Sequence, residues 1–569
     1  MTYDIVIKNG LIVDGSGGPS YRSDLAVKDG KIAAFGRVTE AAHETIDADG
    51  LVVSPGIIDA HTHLDAQIAW DPLGTSSCWH GITSVVMGNC GFSLAPCREG
   101  GKERMIRNLE SVEAIPAEAM MEGIDWRWVT YGDYLDNLER LPKGLNYGGY
   151  VGHSAVRPYI MGERAFTDKA TPEDIEAMRA EVRRSMEAGA LGFSSSRLNG
   201  HVTMEGHPMP SLVADWEEVV AMVDVLQEMN VGVFEMARDY SPEGFQRLRR
   251  LALSHSTPVT FACTAGDDDY AKWLALADEV AKVGGRVVPQ AHTHTTQTIW
   301  SFHSQLPWDH FPVWKELRKR PLEDQLKALA DPALRKRLVA AAREKPDDRL
   351  LIGAMANIND ETEFEKIMVM VTPGHNNPSI AAMARARGLD PIELVVELCW
   401  ESKLMQMFIQ PLIAPNETGI EEILKHPRSV ATFSDSGAHA SQICDYSLQT
   451  ELLSYWVRER QILTLEQAVR KITFEIASAW GLHDRGLLRE GLNADIMIFD
   501  PKTIAPTMPE VLRDLPTGAM RLSQKAVGMH CSVVNGQVLI RDGRHTGALP
   551  GQVLRNRHAR TRAPSEVSR

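Results

Sequence analysis

The sequence predicts an α/β protein in which a (β/α)8 barrel carries a small β domain built from both ends of the chain. Eight short apolar runs alternate with helical patterns between residues 54 and 484. Strand–turn–strand patterns occupy residues 1–53 and return in residues 485–554. Alternating strands and helices are typical of a parallel barrel, whereas strand–turn–strand patterns indicate hairpins.

The two ends of the chain are assigned to strands by their turn signals. Asn-Gly or Asp-Gly between two apolar runs is a strong hairpin signal. We therefore expect residues 1–53 and 485–554 to pair with each other in one discontinuous domain. The turn pairs are Asn9-Gly10, Asp29-Gly30, Asn535-Gly536 and Asp542-Gly543.

Eight apolar runs are expected to form the barrel strands of residues 54–484. Each run is followed by a polar cluster, and most are then followed by a helical pattern. The runs cover residues 56–60, 82–87, 147–151, 190–193, 232–234, 258–261, 286–288 and 430–433. The clearest helical patterns cover residues 172–188, 216–229, 242–254 and 269–283.

Two charged segments fall outside this rhythm. Residues of about 300–360 are charged and helical, so we expect a helical insertion on a barrel loop with a solvated face. The insertion is also a candidate interface between copies in a homo-oligomer. Residues 555–569 are basic and polar, and a surface arm is the expected structure.

The composition excludes several classes of protein. The chain has 569 residues, 44% of them hydrophobic, and a formal net charge of -15. An acidic balance argues against a dedicated nucleic-acid binder. Seven scattered cysteines fit a reducing compartment rather than a disulfide framework. With neither a secretory signal nor a long apolar stretch, we expect a soluble cytoplasmic protein with no membrane partner.

A first candidate site follows the first apolar run, where the chain reads His61-Thr62-His63 with Asp65 close behind. Side chains two residues apart on a strand point to the same side. Two imidazoles at the C-terminal end of a barrel strand can therefore hold one metal ion, on the face where catalytic groups collect. The alternative is a pair of polar histidines in a turn.

Cys90 and Asp435 end two further runs at the same barrel face. The thiolate of Cys90 is a good ligand for zinc, although most free cysteines are simply buried. Asp435 is a candidate metal ligand and general base, because a metal ion lowers the pKa of water to about 7. The alternative for Asp435 is capping the next helix. His439 is predicted to orient Asp435.

Four other polar residues follow barrel strands. Glu235 ends the fifth run, where an acidic group needs either a metal or an ion-pair partner. His153 follows the third run as a ligand, a substrate contact or a support for one. His292 and His294 form a second His-x-His after the seventh run, able to complete a metal site or to line the pocket. Loop histidines without a role remain the alternative.

In their order along the chain, these motifs resemble those of the amidohydrolase superfamily, and within it the D-aminoacylase (N-acyl-D-amino-acid deacylase) family. The first His-x-His and the Ala-Asp return strand are specific to the superfamily, while the motif around Cys90 points to the deacylase branch. The resemblance covers nearly the whole chain. The matching stretches are Ile5–Gly10, Pro55–His63, Gly88–Gly91, Gly152–Ser154, Gly189–Ser194, Ser434–His439 and Asn493–Asp495.

The resemblance implies a distorted TIM barrel with a β-sandwich formed by both termini. It also implies zinc held by the first histidine pair and by Cys90, with Asp435 as the catalytic group. The family normally places a histidine on each of the fifth and sixth strands, where this chain offers Glu235 and no histidine. Either one metal is held tightly, or Glu235, with or without His292 or His294, supplies the ligands of the second metal position.

We therefore predict a metal-dependent hydrolase of a carbon–nitrogen bond other than a peptide bond. The expected cofactor is zinc, as one or two divalent ions, and the expected partner is a small-molecule amide. An N-acyl amino acid is the leading substrate class. A cyclic amide or imide is the alternative, because the arginine expected after Asp435 to hold a substrate carboxylate is absent. A catalytically silent barrel that scaffolds a partner is an alternative of another class.

Overall fold

Eight parallel strands form the central sheet of the protein. A computed structural model describes residues 2–203, 206–266, 269–344, 358 and 361–557. Neighbouring strands of this sheet run parallel and follow chain order. All eight overlap the predicted runs, so the predicted barrel is confirmed. Barrel strands one to eight are Ile57–Asp59, Ile82–Met87, Asn146–Gly152, Gly192–Ser196, Val233–Ala237, Val259–Cys263, Val287–Ala291 and Val430–Ala431.

The barrel is closed by short extensions of strands one and eight. His61–Thr62 continues strand one and pairs in parallel with Phe433–Ser436, which continues strand eight. The pairing contains an irregular step in register. Closure therefore places the residues that follow strand one beside those that follow strand eight.

Helices surround the barrel and begin where the sequence supplies caps. Thr171 caps the helix Pro172–Ala188 in a reciprocal pair with Asp174, and proline occupies the first turn. Its bounds and those of two later helices agree with the predicted patterns. The helices around the barrel are Lys102–Glu113, Ala117–Gly123, Tyr131–Arg140, His153–Met161, Pro172–Ala188, Pro210–Val213, Trp216–Met229, Pro242–Ser254, Tyr270–Lys282, Glu417–Lys425, Leu448–Glu451, Leu465–Ile472 and Phe474–Trp480, with a π-helical stretch at Leu452–Glu459.

The insertion after strand seven is a lobe with its own core, here called the inserted lobe, residues 297–411. Strands Gln297–Ser301 and Met407–Pro411 pair antiparallel at its base, and Met368–Val369 joins them. The lobe thus extends well beyond the predicted end near residue 360, and residues 345–357 and 359–360 lie outside the described residues. Its helices are Pro312–Arg318, Leu322–Ala328, Pro332–Ala341, Ile380–Arg387 and Pro391–Glu401.

Both ends of the chain meet in one β domain, as predicted. Its nine strands form a continuous sheet in which Val52–Pro55 pairs with Ile496–Phe499. A register shift between Ile7 and Gly10 marks a bulge, which bends a sheet. Apolar residues from both halves share one core cluster. The strands are Tyr3–Ile12, Tyr21–Lys28, Lys31–Gly36, Ala42–Asp47, Val52–Pro55, Ile496–Phe499, Met529–Val534, Gln537–Arg541 and Arg544–His545. Two separate two-stranded pairs are formed by Ala505–Pro506 with Ala526–Val527 and by Glu510–Leu512 with Arg521–Ser523.

The C-terminal segment leaves the β domain and runs along barrel strand three. The backbone N–H of Leu554 donates to the carbonyl of Tyr147 at 2.7 Å, and Arg555 contacts Asp136 at 3.0 Å. The predicted basic arm therefore begins in contact with the barrel, while residues 558–569 lie outside the described residues. None of the helices in the described ranges has the length and apolar character needed to cross a bilayer.

Candidate metal centre

Barrel closure brings together the polar residues that follow strands one and eight. His61 and His63 lie in and just after the extension of strand one, and Asp435 lies in the extension of strand eight. The backbone N–H of His63 donates to the carbonyl of Ser436 at 2.7 Å. Both imidazoles consequently lie next to the Asp435 carboxylate.

Four side-chain atoms converge at this point. His63 Nε2 lies 3.0 Å from Asp435 Oδ1, and His61 Nε2 lies 3.7 Å from the same oxygen. Cys90 Sγ lies 3.5 Å from His61 Nε2. Ligand atoms that share one tetrahedral ion at bond lengths of about 2.0–2.3 Å are about 3.3–3.6 Å apart. The separations at His61 are close to that range. The 3.7 Å contact with Asp435 is too long for a hydrogen bond, whereas the 3.5 Å contact with Cys90 is a normal hydrogen-bond length to sulfur.

The two histidines both turn Nε2 toward the cluster. His61 Nδ1 lies 2.6 Å from Gln290 Oε1, and His63 Nδ1 lies 3.0 Å from Glu113 Oε1. The amide oxygen of Gln290 accepts a hydrogen bond from His61 Nδ1 and leaves the His61 Nε2 lone pair free, while the contact with Glu113 turns His63 so that its Nε2 lies beside Asp435. Burial lowers the pKa of His61 to about 4, so its ring is neutral at pH 7, the form that binds a metal.

The Cys90 loop is shaped by backbone conformations that side chains rarely adopt. Cys90 itself has φ 56°, and Gly88 before it has φ 76°. A Cβ on Gly88 would lie 2.5 Å from the Tyr150 carbonyl oxygen, so only glycine fits there. The close approach holds the Cys90 thiol against the ends of strands one and five. Burial raises the pKa of this thiol, and the nearby Glu235 carboxylate raises it further.

Glu235 reaches the same cluster from strand five. Its Oε2 accepts the Cys90 backbone N–H at 2.7 Å, while Oε1 is buried with no hydrogen-bond partner among the described residues. Burial raises the pKa of Glu235 to about 8. An unpaired buried carboxylate oxygen is costly, and a cation beside it removes that cost. Two imidazoles, a thiol and carboxylates form a donor set that suits zinc, so these residues fit a divalent metal.

Asp435 is held as a carboxylate in a strained turn. Burial alone would raise its pKa, but the hydrogen bond and charge of His63 hold it well below the usual range. Its φ is 54°, and that of His439 is 44°. Non-glycine residues in the left-handed region are uncommon and concentrate at functional sites. Three of the predicted site residues, including Cys90, share this property.

Comparison with known proteins gives the family. The model of the amidohydrolase family matches residues 44–540. The chain belongs to the amidohydrolase family. A D-aminoacylase of Alcaligenes xylosoxydans xylosoxydans is 28% identical over 565 residues, with 97% of each chain covered. An N-acyl-D-aspartate deacylase of the same organism is 27% identical, with 97% of this chain and 95% of the relative covered.

Solved structures confirm the fold of this amidohydrolase. A crystal structure of D-aminoacylase has a TM-score of 0.65 at 22% identity, covering 97% of this chain and all of the other. An N-acyl-D-glutamate deacylase from Bordetella bronchiseptica, complexed with zinc and a phosphonate inhibitor, also gives 0.65 at 23% identity, with 98% of this chain and all of the other covered. The predicted enzyme class, a metal-dependent amidohydrolase acting on non-peptide carbon–nitrogen bonds, is confirmed.

The amidohydrolase carries two supporting side chains that the sequence did not indicate. Glu113 ends the helix Lys102–Glu113, and Gln290 lies on strand seven. Neither is near the histidines in sequence, and an acidic residue on a helix usually faces solvent. Their role emerges only from the contacts that fix the tautomers of His61 and His63.

Replacing Glu113 by glutamine is expected to weaken metal binding about 10- to 100-fold. Glu113 is only 4% exposed, and its carboxylate holds His63 with Nε2 toward the cluster. The amide that replaces it accepts a weaker hydrogen bond. The dissociation constant for Zn²⁺, measured by competition with a chelator, checks this result. Glu118→Gln, on an exposed position of the next helix, is the matched control, and equal affinities of the two variants would contradict the role of Glu113.

His439 and His201 lie close to the cluster without joining it. The charge of His439 lowers the pKa of Asp435, yet its buried Nδ1 has no hydrogen-bond partner among the described residues. His201 bonds to Ser196 Oγ at 2.7 Å and packs against Phe92. Burial lowers the pKa of His201 to about 3, and the nearby charge of His439 adds to this effect. His201 was not predicted, because it lies on a loop without strand periodicity.

His153 is not brought to the metal cluster. Its Nδ1 bonds to Ser195 at 2.9 Å and its Nε2 to Glu218 at 2.8 Å, so both ring nitrogens are occupied. Glu218 Oε1 also accepts from Arg157 Nε at 2.7 Å, and all three side chains of this network are buried. The contacts of His153 are therefore those of a structural ion network behind strand four.

Replacing Glu218 by glutamine is expected to destabilise the protein by about 3–5 kcal/mol, because it leaves the buried Arg157 charge without its partner. The midpoint of thermal unfolding should fall accordingly. Glu217→Gln is the matched control, since Glu217 is the exposed neighbour on the same helix. An unfolding midpoint of Glu218→Gln equal to that of the control would show that the network contributes no stability.

His292 and His294 lie in a separate group beside the first cluster. The Phe433 ring contacts His61, with centroids 4.7 Å apart, and His292, with centroids 5.8 Å apart. His292 Nε2 lies 3.1 Å from Asp445 rather than near Cys90. The two histidines therefore do not replace the family's strand-five and strand-six histidines as ligands of a second metal beside Cys90.

Proposed function

We propose that the chain is an N-acyl amino acid deacylase with a zinc-type centre formed by His61, His63, Cys90 and Asp435. The observation that carries the proposal is the convergence of these four side chains at the mouth of a closed barrel, with Glu235 beside them. The relatives named D-aminoacylase and N-acyl-D-aspartate deacylase support the acyl amino acid as the substrate class.

Different residues of this chain would bind the metal and transfer the proton. His61, His63 and Cys90 would hold the ion, and the Glu235 oxygen left unpaired within the described ranges would face it. A divalent ion in this place polarises the substrate carbonyl and lowers the pKa of water to about 7. The carboxylates of Glu113 and Asp435 raise the pKa of His63 despite its burial, so the cluster favours a positive charge at this point.

Asp435 moves the proton of the reaction. Its carboxylate is ionised and lies within 3.7 Å of both histidine Nε2 atoms, so it would lie next to a water activated at this centre. Asp435 accepts a proton from the attacking water and gives it to the leaving nitrogen as the C–N bond breaks. The products are a carboxylic acid and a free amine.

An N-acyl amino acid carries a carboxylate that an arginine could bind, whereas a cyclic amide or imide needs no such arginine. Arg157 is fully engaged in the network of Glu218, and Arg197 donates to the carbonyls of Ala214 and Asp215. The guanidinium of Arg238 lies 4.4 Å from the Trp273 ring centroid. None of these three arginines is presented as a clamp, which favours a cyclic amide or imide as the second candidate.

A substrate screen with a metal count tests the proposal. The purified protein is loaded with Zn²⁺ and assayed for amine release from N-acyl-D-amino acids and N-acyl-L-amino acids, and for ring opening of cyclic imides. Turnover of an N-acyl amino acid that depends on Zn²⁺ supports the proposal. Turnover of cyclic imides alone would favour the second candidate, and a protein that neither binds metal nor turns over any of the three classes would be a silent barrel.

The cysteines support a location in the cytoplasm, which we include in the proposal. All seven are free, and six of them are buried. Free thiols persist in a reducing compartment.

A further inference from the structure

A second group of histidines and carboxylates surrounds a cavity of about 210 Å³ at the mouth of the barrel. His294 follows strand seven, while Asp445 and Glu451 follow strand eight. His375 comes from the inserted lobe and lines the same cavity. Three distant parts of the chain thus contribute metal-ligating side chains to one place.

His294 faces this cavity with a free lone pair. Its Nδ1 lies 2.9 Å from the carbonyl oxygen of Thr295, which fixes the proton on Nδ1. Its Nε2 lies 3.6 Å from Asp445 Oδ1 and 3.5 Å from Glu451 Oε2. Both distances are too long for hydrogen bonds, but they match the separation of about 3.4 Å between ligands of one tetrahedral ion.

His292 holds Asp445 in the orientation that this arrangement needs. The backbone N–H of His294 donates to His292 Nδ1 at 3.1 Å, which places the ring proton on Nε2. That Nε2 lies 3.1 Å from Asp445 Oδ2 and donates to it. The other carboxylate oxygen, Oδ1, is thereby left facing His294. His292 acts as a support and not as a ligand in this tautomer.

The two carboxylates are buried and lack cationic side chains beyond histidine. The side chains of Asp445 and Glu451 are each 6% exposed. In the described part of the chain their ion-pair partners are His292, His294 and His375. Buried carboxylates need a compensating cation. His375 Nε2 lies 2.8 Å from Glu451 Oε1, in a geometry that gives it no hydrogen bond.

We propose that His294, Asp445, Glu451 and His375 form a second binding site for a divalent transition-metal ion, with His292 positioning Asp445. The imidazole and carboxylate donors suit zinc, manganese or iron(II). This site uses none of the residues of the first centre, and hydrolysis at the first centre does not require it. An ion here would also tie the inserted lobe to the barrel through His375.

A metal count in a background without Cys90 tests the second site by itself. The full-length Cys90→Ala variant is loaded with Co²⁺, desalted and analysed for bound cobalt. We expect about one ion per chain, with a visible spectrum that lacks the sulfur-to-cobalt charge-transfer band of a thiolate ligand. Adding His294→Gln in the same background should remove that ion. The wild-type protein should bind two ions per chain.

The matched control is His255→Gln in the Cys90→Ala background. Among the described residues His255 forms a single ion pair, with Asp224 at 2.9 Å, and belongs to no larger group of ligands. It should keep the ion that His294→Gln loses. Circular dichroism verifies that both variants are folded, and Asp445→Asn serves as the replacement if His294→Gln does not fold.

Two results would overturn the second site. One is a Cys90→Ala protein that binds no cobalt although the wild type binds one ion. The other is a cobalt content that His294→Gln or Asp445→Asn leaves unchanged. Neither result depends on turnover, so failure of this proposal is distinguishable from failure of the proposed deacylase activity.

Discussion

Replacing Asp435 by asparagine is expected to reduce turnover of the amide substrate by about 10²- to 10⁴-fold, the range typical of a lost general acid–base group. The asparagine amide cannot take a proton from water at neutral pH. The backbone also tolerates asparagine here, because Asp435 has φ 54° and asparagine adopts left-handed conformations more readily than most residues. The rate constant kcat, measured with the best substrate of the screen, checks this prediction.

The metal content separates a chemical role for Asp435 from a structural one. His61, His63 and Cys90 remain in Asp435→Asn, so the variant should keep most of its zinc and its thermal unfolding midpoint. A loss of turnover together with all zinc would assign Asp435 to metal retention instead. Turnover equal to the wild type would remove Asp435 from the mechanism.

Replacing Cys90 by alanine is expected to empty the first centre and to reduce kcat/KM at least about 100-fold. The thiolate is the softest of the donors around that point, and zinc binds thiolates strongly. Its loss leaves two imidazoles and a carboxylate, a weaker set. Zinc bound after desalting and kcat/KM at limiting zinc are the two measurements. Excess Zn²⁺ should restore part of the activity.

Cys97→Ala is the matched control for the loss of a buried thiol. Cys97 lies on the same loop and is 3% exposed, but its Sγ contacts the Arg98 carbonyl rather than a histidine. It should keep the zinc and the activity of the wild type. If Cys90→Ala behaves like Cys97→Ala in both measurements, Cys90 is a packing residue and the first centre needs a different ligand.

The barrel and the β domain were predictable because their signals are local. Each barrel strand is a short apolar run bounded by polar residues, and Asn535-Gly536 and Asp29-Gly30 are turn pairs that only hairpins favour strongly. The helix Pro172–Ala188 carries its own cap and its own proline at the first turn. These signals do not depend on the rest of the fold.

The extent of the inserted lobe was not predictable for the opposite reason. Its limit is set by pairing between Gln297–Ser301 and Met407–Pro411, which lie far apart in sequence. The helices between them look like solvated surface segments, although Trp300, Trp314 and Phe408 form a core within the lobe. The pattern of charged residues indicates an exposed helix face but does not indicate the residue at which the lobe ends.

The first centre was predictable only in the residues that follow strands directly. His61, His63, Cys90, Glu235 and Asp435 all lie in or just after the C-terminal halves of barrel strands or their extensions, and topology alone brings such residues to one face. Glu113 and Gln290 reach the site from a helix and a neighbouring strand. His292 and His294 also follow a strand, but their side chains contact Asp445 and belong to the second group. The sequence does not indicate the direction of these side chains.

The β domain cannot complete its sheet until residues 496–499 have been synthesised. The N-terminal strand Val52–Pro55 receives its partner, Ile496–Phe499, only after the ribosome has made the whole barrel. Until then the nascent chain carries an open edge of apolar strands, which is prone to pair with other chains. A protein shortened ahead of residue 496 would leave that edge permanently open. The strand Ile496–Phe499 thus covers an edge that the N-terminal strands expose by themselves.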